Sequence, residues 1–572
     1  MLPDTPLISS CPCGRPERPC ANTRHTRRLT GNACRRRTGP MTDDRSLPGL
    51  LRAPAGARCC AASLSTAMAF YVTTPIYYVN AAPHLGHAYS TIAADILARH
   101  HRQRGEEVFF LTGTDEHGEP VAQAAEREGV TPKELADRNA QRFEALMPRI
   151  NVTNDFFIRT SDPRHEAKVQ EVMQRIHDNG HTYKGLYEGW YCPRCADFKT
   201  ESEIGPGNTC PIHQIPLDRE REENWFFRLS TFQEPLERLY TENTEFVRPR
   251  SRANEALAFI RGGLQDVSLS RSKLTWGVQV PWDEGHVFYV WFDALLNYYT
   301  ALSFARDGVD LTDTFWPATL HVIGKDILKF HAVFWPAMLM AADIALPEAE
   351  LIHGYVLMRD ASGTERKMSK SLGNVLDPFE VMDTFGTDAL RYYCFREVSF
   401  GQDGSVSTDT FGERYETELA NEYGNLASRT LAMTRRYRDG VVPDVDVDPG
   451  LAADFEGLTT EVCELLDHAE ITQALDRIWQ RVRRLNRYVE ETAPWQLAKD
   501  EAKAGELDVA LRSLLEGLRS VTVLLHPYMP ETAAKLLRAI GEEDLDMDGA
   551  AFGARPGGGS VGALEPLFPK PQ

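Results

Sequence analysis

From residue 69 onward the chain alternates short, continuous apolar runs with stretches in which apolar residues return every three or four positions. The run AFYVTTPIYYV (69–79) is β-branched and aromatic, and the NAAP after it carries turn chemistry, which predicts a buried strand ending near residue 79. Over 84–105 the spacing becomes helical: Leu85, Ala88, Ile92 and Ile96 share a face, and Gly105 supplies a C-terminal cap. A second apolar run, EEVFFLTGTDEHG (106–118), follows at once. Strand, helix, strand in this order predicts a βαβ unit in a parallel sheet, an α/β fold. Further on, HGYVLM (353–358) reads as a strand, RDASGTE as a turn, and RKMSKS (366–371) as an exposed loop, before Asp377 and Pro378 start a new helix. From about residue 406 the pattern is helical throughout. The longest apolar run, eleven residues over 332–342, is too short to span a bilayer.

Composition changes this picture at one end only. A chain of 572 residues with 42% hydrophobic and 25% charged residues has room for several domains, and a net charge of -19 argues against wholesale coating of nucleic acid. The first 67 residues differ: they hold eleven arginines, no lysine, four acids and six of the eleven cysteines, amid Pro, Gly, Ser and Thr. They lack the apolar core of a secretory signal. Two readings stand, a transit peptide or a gene start placed upstream of the true one at Met41 or Met68. The five remaining cysteines are too few for a disulfide scaffold, which points to a reducing compartment, and a cytoplasmic protein is expected.

Candidate chemistry sits where the first strand meets the first helix. His84-Leu85-Gly86-His87 places two imidazoles three residues apart on the opening turn, where free N–H groups face an anion. Gly86 leaves room for a flat group to approach, and a neutral imidazole can hydrogen-bond phosphate oxygens. Two capping histidines would look the same. The loop with Lys367 and Lys370 is held between firm elements, so its lysines can close over a triphosphate and meet charge that develops on it. Separately, Cys192-x-x-Cys195 and, after fourteen intervening residues, Cys210-x-x-His213 offer three thiolates and an imidazole, the tetrahedral set of one structural zinc. A redox C-x-x-C is the rival, but it leaves the second pair unexplained.

The ordered pair HLGH and KMSKS is the signature of class I aminoacyl-tRNA synthetases, and the chain resembles the methionyl-tRNA synthetase family from Phe70 to about residue 545. TPIYYVNAAPHLGH (74–87), GLQDVSLSRSKLTWGVQVP (263–281), YVWFDALLNYY (289–299) and VIGKDILKFHAVFWPAML (322–339) carry the match. The 280 positions between His87 and Lys367 are too few for the large editing domain of the valine, isoleucine and leucine enzymes.

The resemblance implies a Rossmann-like catalytic domain with a zinc-knuckle insertion, followed by an all-α anticodon-binding bundle. Expected boundaries are an extension over 1–67, catalytic halves over 68–180 and 289–350 around an insertion over 181–288, a KMSKS and stem-contact region over 351–405, the anticodon domain over 406–545 and a tail over 546–572. By the same resemblance His84, His87, Lys367 and Lys370 are catalytic. Pro83, Gly86, Gly324, Asp326, Met368, Ser369 and Ser371 join them around ATP, which arrives with Mg2+. Ile76, Tyr78, Asp115, Trp291, Ala294, Leu295, Tyr298, Phe330 and His331 would hold L-methionine, with Asp115 on the ammonium; some relatives have proline in place of Leu295. An aromatic, apolar pocket with one hydroxyl suits a polarizable thioether.

In the helical third, Asn425 and Arg429 lie one turn apart, and Arg477, Arg481, Arg483, Arg484 and Arg487 crowd one helix ahead of Pro494-Trp495. Basic faces can hold phosphates, and an aromatic at a helix start can stack an unpaired base. The resemblance makes Asn425, Arg429 and Trp495 the contacts to the CAU anticodon of tRNA(Met), and implies a monomer with no membrane partner. Two other readings were open from the motifs: a small-molecule nucleotidyltransferase, which leaves the knuckle and the helical third without a task, and an inactive RNA-binding protein, against which both intact motifs argue.

Overall fold

A computed structural model describes residues 69–80, 82–193, 197–199, 204–211, 214–359, 365–367, 377–543 and 545–570. All of them belong to one compact unit. Its centre is a sheet of β1 (Phe70–Tyr78), β2 (Val108–Asp115), β3 (Phe156–Arg159), β4 (Val247–Arg248), β5 (Leu320–Gly324) and β6 (Ala349–His353). Their order across the sheet is β3-β2-β1-β5-β6-β4, and every neighbouring pair is parallel. β2 and β3 step away from β1 on one side, and β5, β6 and β4 lie on the other. The C-terminal ends of β1 and β5 therefore border the crevice where strand order reverses, the place at which such sheets bind ligands.

Both faces are covered, which is why the strands are apolar almost throughout. Phe70 and Val72 of β1 face the core shared with the helix Leu85–Gln103 and the C-terminal helices, whereas Tyr71 faces a second core built by the middle of the chain. The register of β1 against β2 slips between Thr73 and Ile76, at Pro75, so the end of β1 is re-aimed before it reaches the crevice.

The middle segment forms an antiparallel sheet in which Thr182–Cys192 pairs with Asp218–Phe227, flanked by Asp197–Lys199 and Val267–Ser268. It does not stay apart from the catalytic sheet. Val247–Arg248 returns to pair with β6 as an edge strand, and the Glu350 amide donates to the Phe246 carbonyl at 2.7 Å. The chain from 546 onward also packs rather than trails: Val561 and Phe568 are buried, and Tyr415 donates to the Pro569 carbonyl at 2.6 Å.

The C-terminal helices follow the predicted period. In Ile471–Thr492 the buried residues Ile471, Leu475, Ile478, Val482, Leu485 and Val489 recur every three or four positions. This bundle grips the far half of the helix that follows β1. Gln103 donates to the carbonyls of Val523 and Leu545, and His100 and Arg104 both bind Asp467. Arg391 and Asp95 form a fully buried ion pair at 2.7 Å at the same junction. Among the described residues no helix is long and apolar enough to cross a membrane.

Candidate active site

The crevice is lined from both sides. At the end of β1, His84 is the N-cap of Leu85–Gln103 with extended backbone, and its Nδ1 accepts the Gly86 amide at 3.1 Å. The His84 amide in turn donates to Nδ1 of His87 at 3.0 Å. Two histidines thus build the reciprocal cap that a Ser and a Glu make elsewhere. A backbone N–H can only donate, so both Nδ1 atoms are acceptors and each neutral ring carries its proton on Nε2. The rings stack at 3.8 Å and present two Nε2–H donors together. Gly86 lies close beneath, and a Cβ there would come within 2.9 Å of the His84 ring. Pro83 is buried just ahead of the cap.

Across the crevice, Gly324 ends β5 in register with His353 of β6. A Cβ on Gly324 would lie 2.7 Å from an oxygen of Asp326, so only glycine fits with that carboxylate in place. Lys367 ends the short strand Glu365–Lys367, paired with Leu357. Met368, Ser369, Lys370 and Ser371 lie outside the described residues.

The expected methionine pocket is assembled from four separate segments. Tyr78 and Asp115 sit side by side at the ends of β1 and β2. Trp291 and Ala294 come from the helix Val290–Ala294, with Leu295 directly after it and Tyr298 on the next short helix. Phe330 and His331 lie on the π-helical turn Phe330–Phe334, a local widening frequent at functional sites. The rings of Trp291 and Phe330 stack at 3.8 Å, and Tyr78 meets Trp291 edge-on. Tyr298 Oη lies 2.8 Å from His331 Nε2, and His331 Nδ1 lies 3.2 Å from the Ile327 carbonyl. The carbonyl needs a donor, so Nδ1 holds the proton and Nε2 accepts from the tyrosine. Burial lowers His331 to about 4, which keeps it neutral. Ile76 is half-buried at the rim.

Asp115 is 2% exposed, and its Oδ1 has no hydrogen-bond partner among the described residues. Burial, with the charge of Asp293 adding to it, pushes its carboxyl well above the usual range. A ligand ammonium at that oxygen would supply both the missing partner and the missing countercharge. A cleft open to solvent, lined by Gly118, Tyr191, Arg271, Lys273, Tyr289 and Val290, lies beside the loop after β2.

Behind Asp115 lies a cluster that the sequence reading passed over. Asp293 is buried and accepts from His117 Nδ1 at 2.5 Å on one oxygen and from His165 Nε2 at 2.8 Å on the other. The available signal was an acid inside the otherwise apolar run YVWFDALL.

Of the expected zinc ligands, Cys192 ends a strand and Cys210 sits in a tight turn, both fully buried with Leu217 and against Trp190, Ile204 and Ile215. Cys195 and His213 lie outside the described residues. Two buried thiols in one small apolar cluster suit a soft cation, and among the described residues no group of three or more His, Cys, Asp or Glu that could hold a metal ion occurs.

In the bundle, Asn425 is exposed at the start of Asn425–Arg438, after a π-helical stretch. Arg429 reaches Asn486 and Glu490 in the final turns of Ile471–Thr492. Trp495, half-buried, follows that helix after Ala493, whose φ of 40° turns the chain. The expected phosphate-binding arginine row is largely neutralised within the protein. Arg477 pairs with Glu461, Arg483 with Glu418 and Glu422, and Arg484 with Asp454 and Glu491.

Residues 70–220 and 216–431 match the family described as tRNA synthetases class I (M), and residues 444–570 match the anticodon binding domain of methionyl tRNA ligase. The chain is 45% identical to a methionine–tRNA ligase of Streptomyces coelicolor over 529 residues, covering 88% of this chain and 97% of that one. It is 43% identical to one of Caldanaerobacter subterraneus, covering 88% and 78%. The solved structure of Mycobacterium tuberculosis methionyl-tRNA synthetase in complex with methionyl-adenylate superposes with a TM-score of 0.84 at 40% identity, covering 88% of this chain and all of that one.

Proposed function

The chain belongs to the methionyl-tRNA synthetase family of class I tRNA synthetases, and from that premise we propose how its own residues divide the work. It activates L-methionine with ATP to methionyl-adenylate and transfers the methionyl group to the 3′ end of tRNA(Met), initiator and elongator, for translation. The observation that carries the assignment of residues is that the ends of β1 and β2 supply two Nε2–H donors and a buried carboxyl with one unpartnered oxygen, and that an aromatic pocket stands at the same strand ends.

Asp115 takes the methionine ammonium, and Trp291, Phe330, Tyr298 and His331 enclose the thioether, with Ile76, Tyr78, Ala294 and Leu295 around them. The methionine carboxylate then attacks the α-phosphate of ATP and pyrophosphate leaves. No side-chain nucleophile is required; positioning and charge stabilisation suffice. His84 and His87 donate to phosphate oxygens at the crevice, where Pro83, Gly86, Gly324 and Asp326 shape the nucleotide's bed. Lys367 and Lys370, with Met368, Ser369 and Ser371 of the same loop, meet the charge on the departing pyrophosphate. Mg2+ bound with ATP supplies further countercharge to the phosphates. In the second step the 2′-hydroxyl of the terminal adenosine attacks the adenylate carbonyl and AMP leaves.

Cys192, Cys195, Cys210 and His213 hold one structural zinc that folds the knuckle. Asn425, Arg429 and Trp495 read the CAU anticodon. The cytoplasm is the proposed site of action.

Exchange of pyrophosphate into ATP, run with each of twenty amino acids, tests the reading. Methionine alone is expected to support it. Lys370→Ala is expected to lower exchange about 10²–10³-fold while leaving methionine binding intact. A mild loss would overturn the role given to that loop.

A further inference from the structure

Asp115 cannot set its own charge or position, because it lies at a strand end with one oxygen unpartnered. What lies behind it can. His117, His165 and Asp293 come from three elements: the loop after β2, the helix Pro163–Asp178 and the helix Val290–Ala294, in that order. All three side chains are at most 2% exposed, and each oxygen of Asp293 accepts from one imidazole. His165 is anchored from its other nitrogen to Thr300 at 2.7 Å, on the short helix that carries Tyr298.

We propose that this His117–Asp293–His165 clamp is a positioning device for methionine's ammonium, fixing the gap between Asp115 and the aromatic wall and cancelling the charge of Asp293 next to Asp115. The proposal rests on the pocket assignment above. Asp115 stands two residues before His117, and Trp291 stands two residues before Asp293. The hydrogen bond between His117 and Asp293 therefore ties the ammonium end of the pocket directly to its thioether end. A ligand one methylene shorter or longer would meet one end and miss the other.

The electrostatic half follows from the same geometry. Asp293 is a second buried acid close enough to disfavour ionisation of Asp115, and the His117 imidazolium acts in the opposite direction. The groups facing His117 are Asp293 at 2.5 Å, Glu166 at 3.6 Å from its Nε2, the Trp276 ring, and its chain neighbours Asp115 and Glu116. Glu116 is already committed to Arg159 and Ser161, and His165 reaches Asp293 from the far side. The balance at Asp115 thus turns on the His117–Asp293 pair.

The test measures the equilibrium dissociation constant of methionine between pH 5.5 and 8.5 in the full-length protein, for wild type, His117→Gln, Asp293→Asn and the double variant. For His117→Gln the pH below which methionine binding weakens should rise by about one unit, equivalent to roughly tenfold weaker binding at the acid end. The KM for ATP should not move. Removing both charges should return the pH profile to that of wild type, leaving only a pH-independent loss from the missing tie. A merely structural role predicts the same factor at every pH in His117→Gln and a further loss in the double variant; either result would overturn the proposal. Asp293→Asn keeps the shape of the side chain, so if His117→Gln does not fold, its unshifted profile and weakened binding still test the tie. If wild type itself shows no methionine-dependent exchange, the functional reading fails; if wild type is active and His117→Gln is unshifted, only the clamp fails.

Discussion

Replacing Arg391 by methionine should destabilise the joint between the helix that presents His84 and His87 and the C-terminal bundle by about 3 kcal/mol. The side chains of Arg391 and Asp95 are 0% exposed, and the guanidinium makes five hydrogen bonds. One goes to Asp95, two to the carbonyls of Pro527 and Tyr528 in the bundle, and two to those of Ile150 and Asn151. Removing one member of a buried pair costs roughly 3–5 kcal/mol, because the partner stays buried with its charge uncompensated. Here the lower end applies: Asp95 keeps Arg99 at 2.7 Å and two bonds from Thr153, and methionine fills much of the space with apolar surface. Urea unfolding of the full chain, followed by tryptophan fluorescence and far-UV circular dichroism, reads the loss. Asp95→Asn combined with Arg391→Met should recover part of it, giving a coupling energy of about 1–3 kcal/mol. A single-variant loss under about 1 kcal/mol, or two losses that simply add, would refute the reasoning.

Two further outcomes are expected. Burial alone would raise Asp293, but the His117 charge and the bonds from both histidines hold it at about 2; burial would lower His117, but Asp293 holds it at about 10. The stability from Asp293 is present above about pH 4 and lost as pH falls toward 2. That from His117 is full below about pH 6.5 and lost as pH rises toward 10. Thermal melts of wild type should therefore drop in Tm from pH 6.5 to 10, and Asp293→Asn should flatten this slope; an unchanged slope in the variant would contradict it. Trp495→Ala should leave pyrophosphate exchange within about twofold of wild type while lowering tRNA charging about 5- to 150-fold, as loss of one base-stacking contact of ~1–3 kcal/mol implies. Equal damage to both activities would contradict the division of labour between sheet and bundle.

Local signals carried a good share of this protein. The β1 run, the helical period after it and the His84-Gly86-His87 junction were legible because period, turn residues and a helix start act over a few positions. The reciprocal histidine cap was already implicit in the three-residue spacing. The amphipathic helix Ile471–Thr492 was legible for the same reason. Other features depend on residues far apart in sequence. The edge strand Val247–Arg248 is two residues long, too short for any period, and is a strand only because β6 offers it hydrogen bonds. The arginine row reads as a free basic face until folding brings Glu418, Glu422, Glu461 and Asp454 to it. Trp291 finds Phe330, and Arg391 finds Asp95, only through the parallel order of the sheet and the docking of the bundle. Asp293 is the sharpest case: within YVWFDALL it is a lone acid, and its meaning depends on two histidines delivered by other elements. A sequence specifies which groups want burial, hydrogen bonds or countercharge; which group satisfies which is decided by tertiary structure, because those demands act through space rather than along the chain.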